Sequence, residues 1–190
     1  MFVIKNKYFL MIENIKDINL ENIKIRNKFF IIYRNNKKKD DLRDLSRFRQ
    51  LCKSKSIKFF IANNIKLAKS LNSDGIYLSS FNKELKFLHF KKKNFEIIGS
   101  AHNLKEISEK IKQGCSSVLF SKLFLVDYDK KAPYLGIIKF NYLKRISKKI
   151  IPLGGIKIHN LNQLNNIFSE GFALLSEVKK KPAKIFSRLL

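Results

Sequence analysis

Eight short apolar runs, each followed by a longer stretch with helical spacing, limit the folds open to this sequence more than any other feature. The runs are "YFLMI" (8–12), "KFFIIYR" (28–34), "IKFFIAN" (57–63), "GIYLS" (75–79), "FEIIGSA" (95–101), "SVLFSKL" (117–123), "IIPLGG" (150–155) and "FALLSEV" (172–178). They are nearly continuous rather than alternating with polar residues, which is the pattern of parallel strands buried on both faces. Between them, "DDLRDLSRFRQLCKS", "NIKLAKSLN", "NKELKFLHFKK", "NLKEISEKIKQG", "NYLKRISKK" and "NLNQLNNIFSEG" set apolar residues at helical spacing, so each lays one stripe on a sheet. Several open with Asp or Asn as N-caps, and Gly114 and Gly171 stand where helices are expected to end. Only the first crossover, "ENIKDINLENIKIRN", is too weak for a full helix, while the tail "KKPAKIFSRLL" is expected to form a closing one.

This alternation predicts a compact α/β fold, the (β/α)8 TIM barrel. At 190 residues the chain is short against the roughly 250 usual for that fold, so helices and loops must be trimmed. The rival doubly wound sheet announces itself with a Gly-rich loop after its first strand, and none follows "YFLMI". No linker or repeat divides the chain, so residues 1–190 read as a single domain.

Charge bears on partners. The net charge is +25, a balance that ordinarily points to nucleic acid or an anionic membrane. Here the basic residues are spread through "NNKKKDDLR", "FKKKN", "LKRISKK" and "EVKKKPAK" in a chain rich in Lys, Asn, Ile and Phe, so they read as solvated faces and not as one footprint. No specific nucleic-acid or membrane partner is expected. Two separated cysteines, Cys52 and Cys115, suggest neither a zinc site nor a disulfide framework. With charged or amide residues interrupting the first stretch, the expected location is cytoplasmic.

In a barrel the active site lies at the C-terminal ends of the strands, and phosphate is often held after strands 7 and 8. The expected strand ends present Arg34, Asn63 with Asn64, Ser79 with Ser80, Ser100 with His102, Ser121 with Lys122, Gly154 with Gly155, and Ser176 with Glu177. The glycine pair in "IPLGGIKIHN" supplies bare backbone that either makes a tight turn or brings N–H groups up to an anion. The loop "FLVDYDKKAPYLG" (124–136) is long enough to cover a site.

From about residue 28 onward the chain resembles the thiamine phosphate synthase/TenI family. The resemblance is carried by "FFIIYR", "FFIANNIKLAKSLNSDGIYLS", "IIGSAHNLKEISEKIKQGCSSVLFSKLF", "KKAPYLG" and "IPLGGIKIHNLNQL" with "EGFALLSEV", in that order. It implies a transferase of thiamine biosynthesis that joins an aminopyrimidine diphosphate to a thiazole phosphate, releasing pyrophosphate with Mg2+. Carried over by position, Arg34 faces the diphosphate with Asn63 beside it, and Ser100 and His102 lie near the same group. Ser100 and the loop lysine, for which Lys130 or Lys131 stands, are expected to be catalytic; Asn64 is grouped with the substrate-binding residues, and Gly154, Gly155 and Ser176 hold the thiazole phosphate. Asn64 and Asn82 occupy the family's acidic metal positions, Tyr77 replaces a histidine, Ser79 and Ser80 replace Gly-Gln, and the second basic residue moves to Lys37 or beyond. Neutral amides suit a hard dication poorly, so magnesium is implied by the resemblance and opposed by these residues. The alternatives are a TenI-like thiazole aromatase and a non-catalytic phosphate-binding barrel.

Overall fold

The computed structural model describes residues 5–35, 40–90 and 95–180. The expected Lys37 and nearly all of the expected closing helix lie outside them. Eight parallel strands close into one barrel in chain order: β1 (Lys7–Ile12), β2 (Phe29–Tyr33), β3 (Lys58–Ala62), β4 (Gly75–Leu78), β5 (Glu96–Ala101), β6 (Ser117–Ser121), β7 (Ile150–Leu153) and β8 (Gly171–Leu174). β1 pairs with both β2 and β8, so no strand is left as an edge.

The continuous apolar runs follow from two cores. Phe9, Met11, Phe30, Ile32, Phe60, Tyr77, Ile98, Leu119, Ile151 and Ala173 fill the inside of the barrel. The alternate residues, such as Tyr8, Leu10, Ile12, Ile31 and Phe59, face outward beneath the helices. Aromatic rings supply much of the interior volume, with Phe9 and Phe30 centroids 4.7 Å apart and Phe30 and Phe60 6.1 Å apart.

Crossovers are trimmed, as chain length requires. The α-helices are α1 (Leu42–Ser54), α2 (Ile65–Ser70), α3 (Leu104–Lys112), α4 (Gly136–Ile146) and α5 (Ser176–Lys180). Asp41, Asn64 and Asn103 cap α1, α2 and α3 through their side chains. The weak first crossover forms two short 3-10 turns. Three expectations are corrected. The stretches 85–90 and 158–166 are 3-10 rather than α-helical; the second holds four asparagines, which compete with helical bonding through their side chains. Gly171 ends no helix: it opens β8, where a Cβ would lie 2.1 Å from the Lys7 carbonyl oxygen. Finally, β8 stops at Leu174, which pairs with Leu10, so Ser176 and Glu177 belong to α5.

On the rim opposite the site, Asp74 ties α1, β3 and β5 together, its carbonyl accepting from Glu96 N–H of β5 at 2.9 Å. It accepts from Arg49 of α1 at 3.0 Å and from the Phe59 N–H of β3 at 2.7 Å. No helix among the described residues is long and apolar enough to cross a membrane.

Candidate active site

A cavity of about 510 Å³ opens at the C-terminal rim of the strands. Its floor is Tyr77, whose side chain is 1% exposed at the top of the barrel interior. Burial raises the Tyr77 pKa, while a hydrogen bond with Ser100 and the charge of Arg34 pull in the other direction. The Arg34 guanidinium lies 6.0 Å from the centre of the Tyr77 ring. Its position is set by the main chain, since Arg34 N–H donates to the Ile12 carbonyl at 2.8 Å where β2 ends. Arg34 makes no ion pair among the described residues.

On the far side of the cavity, Gly154 and Gly155 follow β7 with φ of +92° and +69°. The N–H groups of Gly154, Gly155 and Ile156 donate to no acceptor among the described residues, which leaves a row of backbone donors on the cavity wall. Asn160 holds this turn from behind, donating to the Gly155 carbonyl and accepting from Lys157 N–H, each at 2.8 Å. Gly155 has a structural reason as well. A Cβ there would lie 2.4 Å from the Phe124 carbonyl oxygen and 2.5 Å from that of Leu125. The glycine therefore makes room for the loop after β6 as well as for the turn.

That loop does reach the site. Its base is pinned where Leu135 and Gly136 donate to the carbonyls of Lys122 and Leu123 at 3.0 and 2.9 Å. From there Val126, Asp127 and Tyr128 lean over the cavity. Lys157 forms an ion pair with Asp127 across the mouth. Lys157 was not among the residues expected from sequence; its only signal is its place two residues after the glycine pair.

Of the residues singled out by sequence, Arg34, Ser100, His102, Gly154, Gly155 and Ser176 converge on this cavity. Lys130 lines a smaller neighbouring space of about 290 Å³ that shares Asp127, Gly155 and Lys157 with it, while exposed Lys131 lines neither. His102 is engaged by α3: its N–H donates to Glu106 Oε2 at 2.8 Å and its Nδ1 lies 3.1 Å from the same oxygen. Burial pushes the Glu106 carboxyl up, but the contacts from His102 and Asn103 outweigh it and hold the group below its ordinary value. Asn63 and Asn64 sit just outside the cavity, Asn63 joined to it by a 2.7 Å bond from Nδ2 to Ser79 Oγ.

Magnesium fits this donor set badly. No group of three His, Cys, Asp or Glu side chains that could hold an ion occurs among the described residues. Asn64 Oδ1 caps α2 by accepting from Leu67 N–H, and Asn82 Oδ1 accepts from Glu84 N–H, both at 3.0 Å.

Fold and cavity define a (β/α)8 barrel with its site at the C-terminal rim, walled by one arginine, a glycine turn and a covering loop. The family model for thiamine monophosphate synthase matches residues 3–178, and the chain belongs to that family. A thiamine-phosphate synthase of Prochlorococcus marinus (strain AS9601) is 28% identical over 183 residues, covering 94% of this chain and 50% of that protein. The chain thus spans half the length of that relative. A second, from Dictyoglomus turgidum, is 23% identical over 158 residues, covering 80% of this chain and 70% of its own. The solved thiamine phosphate pyrophosphorylase of Pyrococcus furiosus shares the fold, with a TM-score of 0.75 at 19% identity over 97% of this chain and 93% of that one.

Proposed function

We propose that the chain joins an aminopyrimidine diphosphate to a thiazole phosphate with release of pyrophosphate. The observation that carries this reading is the convergence of Arg34, Ser100 and the Gly154–Ile156 backbone turn on one cavity of about 510 Å³, a volume suited to a ligand of cofactor size. The cavity has two anion-facing ends, and a condensation of two phosphorylated partners needs both. At one end the Arg34 fork pairs with phosphate oxygens and meets the charge that grows on the departing pyrophosphate. At the other, the N–H row after β7 holds the second phosphate, with Ser176 beside it and Lys157 supplying a cation.

Between the ends, Tyr77 lines the bottom of the cavity at the top of the barrel interior. The loop bearing Asp127 and Tyr128 covers the reacting bond and limits water. The test is a turnover assay with both precursors, following pyrophosphate. Pyrophosphate formed only when both are present supports the reading. Conversion of a thiazole phosphate alone favours the TenI-type aromatase, and binding without turnover favours a phosphate-binding barrel.

A further inference from the structure

Where β3 and β4 end, the side chains form a closed and neutral network. Backbone donors fix the orientation of each amide. Ser79 N–H donates to Asn63 Oδ1 at 3.1 Å, so Asn63 Nδ2 is the group that donates to Ser79 Oγ at 2.7 Å. Glu84 N–H donates to Asn82 Oδ1 at 3.0 Å, which turns Asn82 Nδ2 toward Asn63 Oδ1 at 3.3 Å. Both lone pairs of Asn63 Oδ1 are thereby used. The backbone of Asn82 is held too, its carbonyl accepting from Lys110 Nζ at 2.5 Å and Gln113 Nε2 at 3.0 Å.

Carboxylates placed at such positions repel one another unless a cation lies between them. Here an amide NH2 points at an amide oxygen instead, and the hydrogen bond links the ends of β3 and β4 without any ion. A hard dication needs several oxygen ligands, preferably charged; the ends of β3 and β4 offer amide oxygens already engaged by N–H donors, and the carboxylate that lines the cavity, Asp127, is paired with Lys157. We infer that this site takes its phosphate groups as free anions, without a divalent cation. Arg34 and the N–H row after β7 carry the counter-charge, and the Asn63–Ser79–Asn82 network is the ion-free brace of the rim. The inference rests on reading the cavity as a site for phosphorylated precursors.

The test is a calorimetric titration of the full chain with inorganic pyrophosphate, once in EDTA and once in saturating magnesium, after correction for formation of magnesium pyrophosphate. The expected affinities differ by less than about tenfold. A gain of tenfold or more on adding magnesium overturns the inference while leaving the proposed function standing. Absence of binding in both conditions overturns the inference together with the phosphate-site reading on which it rests.

Discussion

Arg34 and Gly155 meet different demands, and substitution separates them. Arg34 has no ion-pair partner among the described residues and faces the cavity, so its removal costs the fold little and the ligand much. Arg34→Ala is expected to weaken pyrophosphate binding by about 10- to 100-fold, the worth of one or two charge-assisted hydrogen bonds, with an unchanged thermal melt. Calorimetry beside the melt checks both halves, and equal affinity in the variant removes Arg34 from the site. Gly155 behaves in the opposite way. Its φ of +69° and the carbonyls of Phe124 and Leu125, which would lie 2.4 and 2.5 Å from an added Cβ, leave no room for a side chain. Gly155→Ala is therefore expected to destabilise the protein by about 2–4 kcal/mol, through backbone strain and displacement of the loop. Gly154→Ala shares the positive-φ strain, at +92°, but an added Cβ there meets Ser121 Oγ at 3.0 Å and Lys122 Cα at 3.2 Å, looser contacts than those at Gly155, so its melting temperature is expected to fall less. Equal losses in the two variants would contradict the assignment of the Phe124–Leu125 contact to Gly155.

At the scale of elements, α3 shows how one helix start serves the rim. Asn103 caps it by accepting from Glu106 N–H at 2.9 Å, and the Glu106 carboxylate reaches back to His102. The lowered Glu106 pKa means that its ionised form is favoured by folding. Stability from this group is present above the ordinary carboxylate range and is lost as pH falls through the depressed folded value. Glu106→Gln is expected to melt below the parent at neutral pH and to converge with it in acid, checked by melts across an acid series; a constant gap would show that the contact acts by shape alone. Lys110, on the same helix, is fully buried and bonded to Gln113 Oε1 at 2.8 Å and to the Asn82 carbonyl. Its replacement by Met is expected to cost about 1–3 kcal/mol by removing these charge-assisted bonds, read from a denaturant midpoint. The strands were legible in sequence because both faces of each are apolar, as in "YFLMI", where Phe9 and Met11 point in and Tyr8 and Leu10 point out. The end of β8 was not, since "FALLSEV" stays apolar enough past Leu174 and only the loss of a β1 partner ends the ladder. For the cavity, the strand-end rule pointed to Arg34, Ser100 and Gly155, which line it. It could not find the Asn63–Ser79–Asn82 network or the Asp127–Lys157 pair, because those depend on contacts between elements that no local pattern encodes.

For the whole molecule, closure of the barrel is uneven in a way that bears on ligand binding. β1 and β2 share five registered pairs from Tyr8↔Phe29 to Ile12↔Tyr33, whereas β7 and β8 share only Leu153↔Ala173. Both of the latter strands are four residues long, and the chain leaves β7 directly into the glycine turn. The seam with the least pairing thus borders the N–H row proposed to hold phosphate. Local opening starts where backbone bonding is sparse, so the amides of β8 are expected to exchange with solvent faster than those of β2 in the free protein. A phosphate seated on Gly154–Ile156 binds the closed form alone, and it opposes that opening by mass action. Pyrophosphate is then expected to slow exchange in β7 and β8 more than in β2 and β3, with protection growing as its concentration rises. Hydrogen exchange read by segment, with and without pyrophosphate, checks this: protection spread evenly over all eight strands would place the ligand's stabilising effect on the barrel at large and not on the β7–β8 seam.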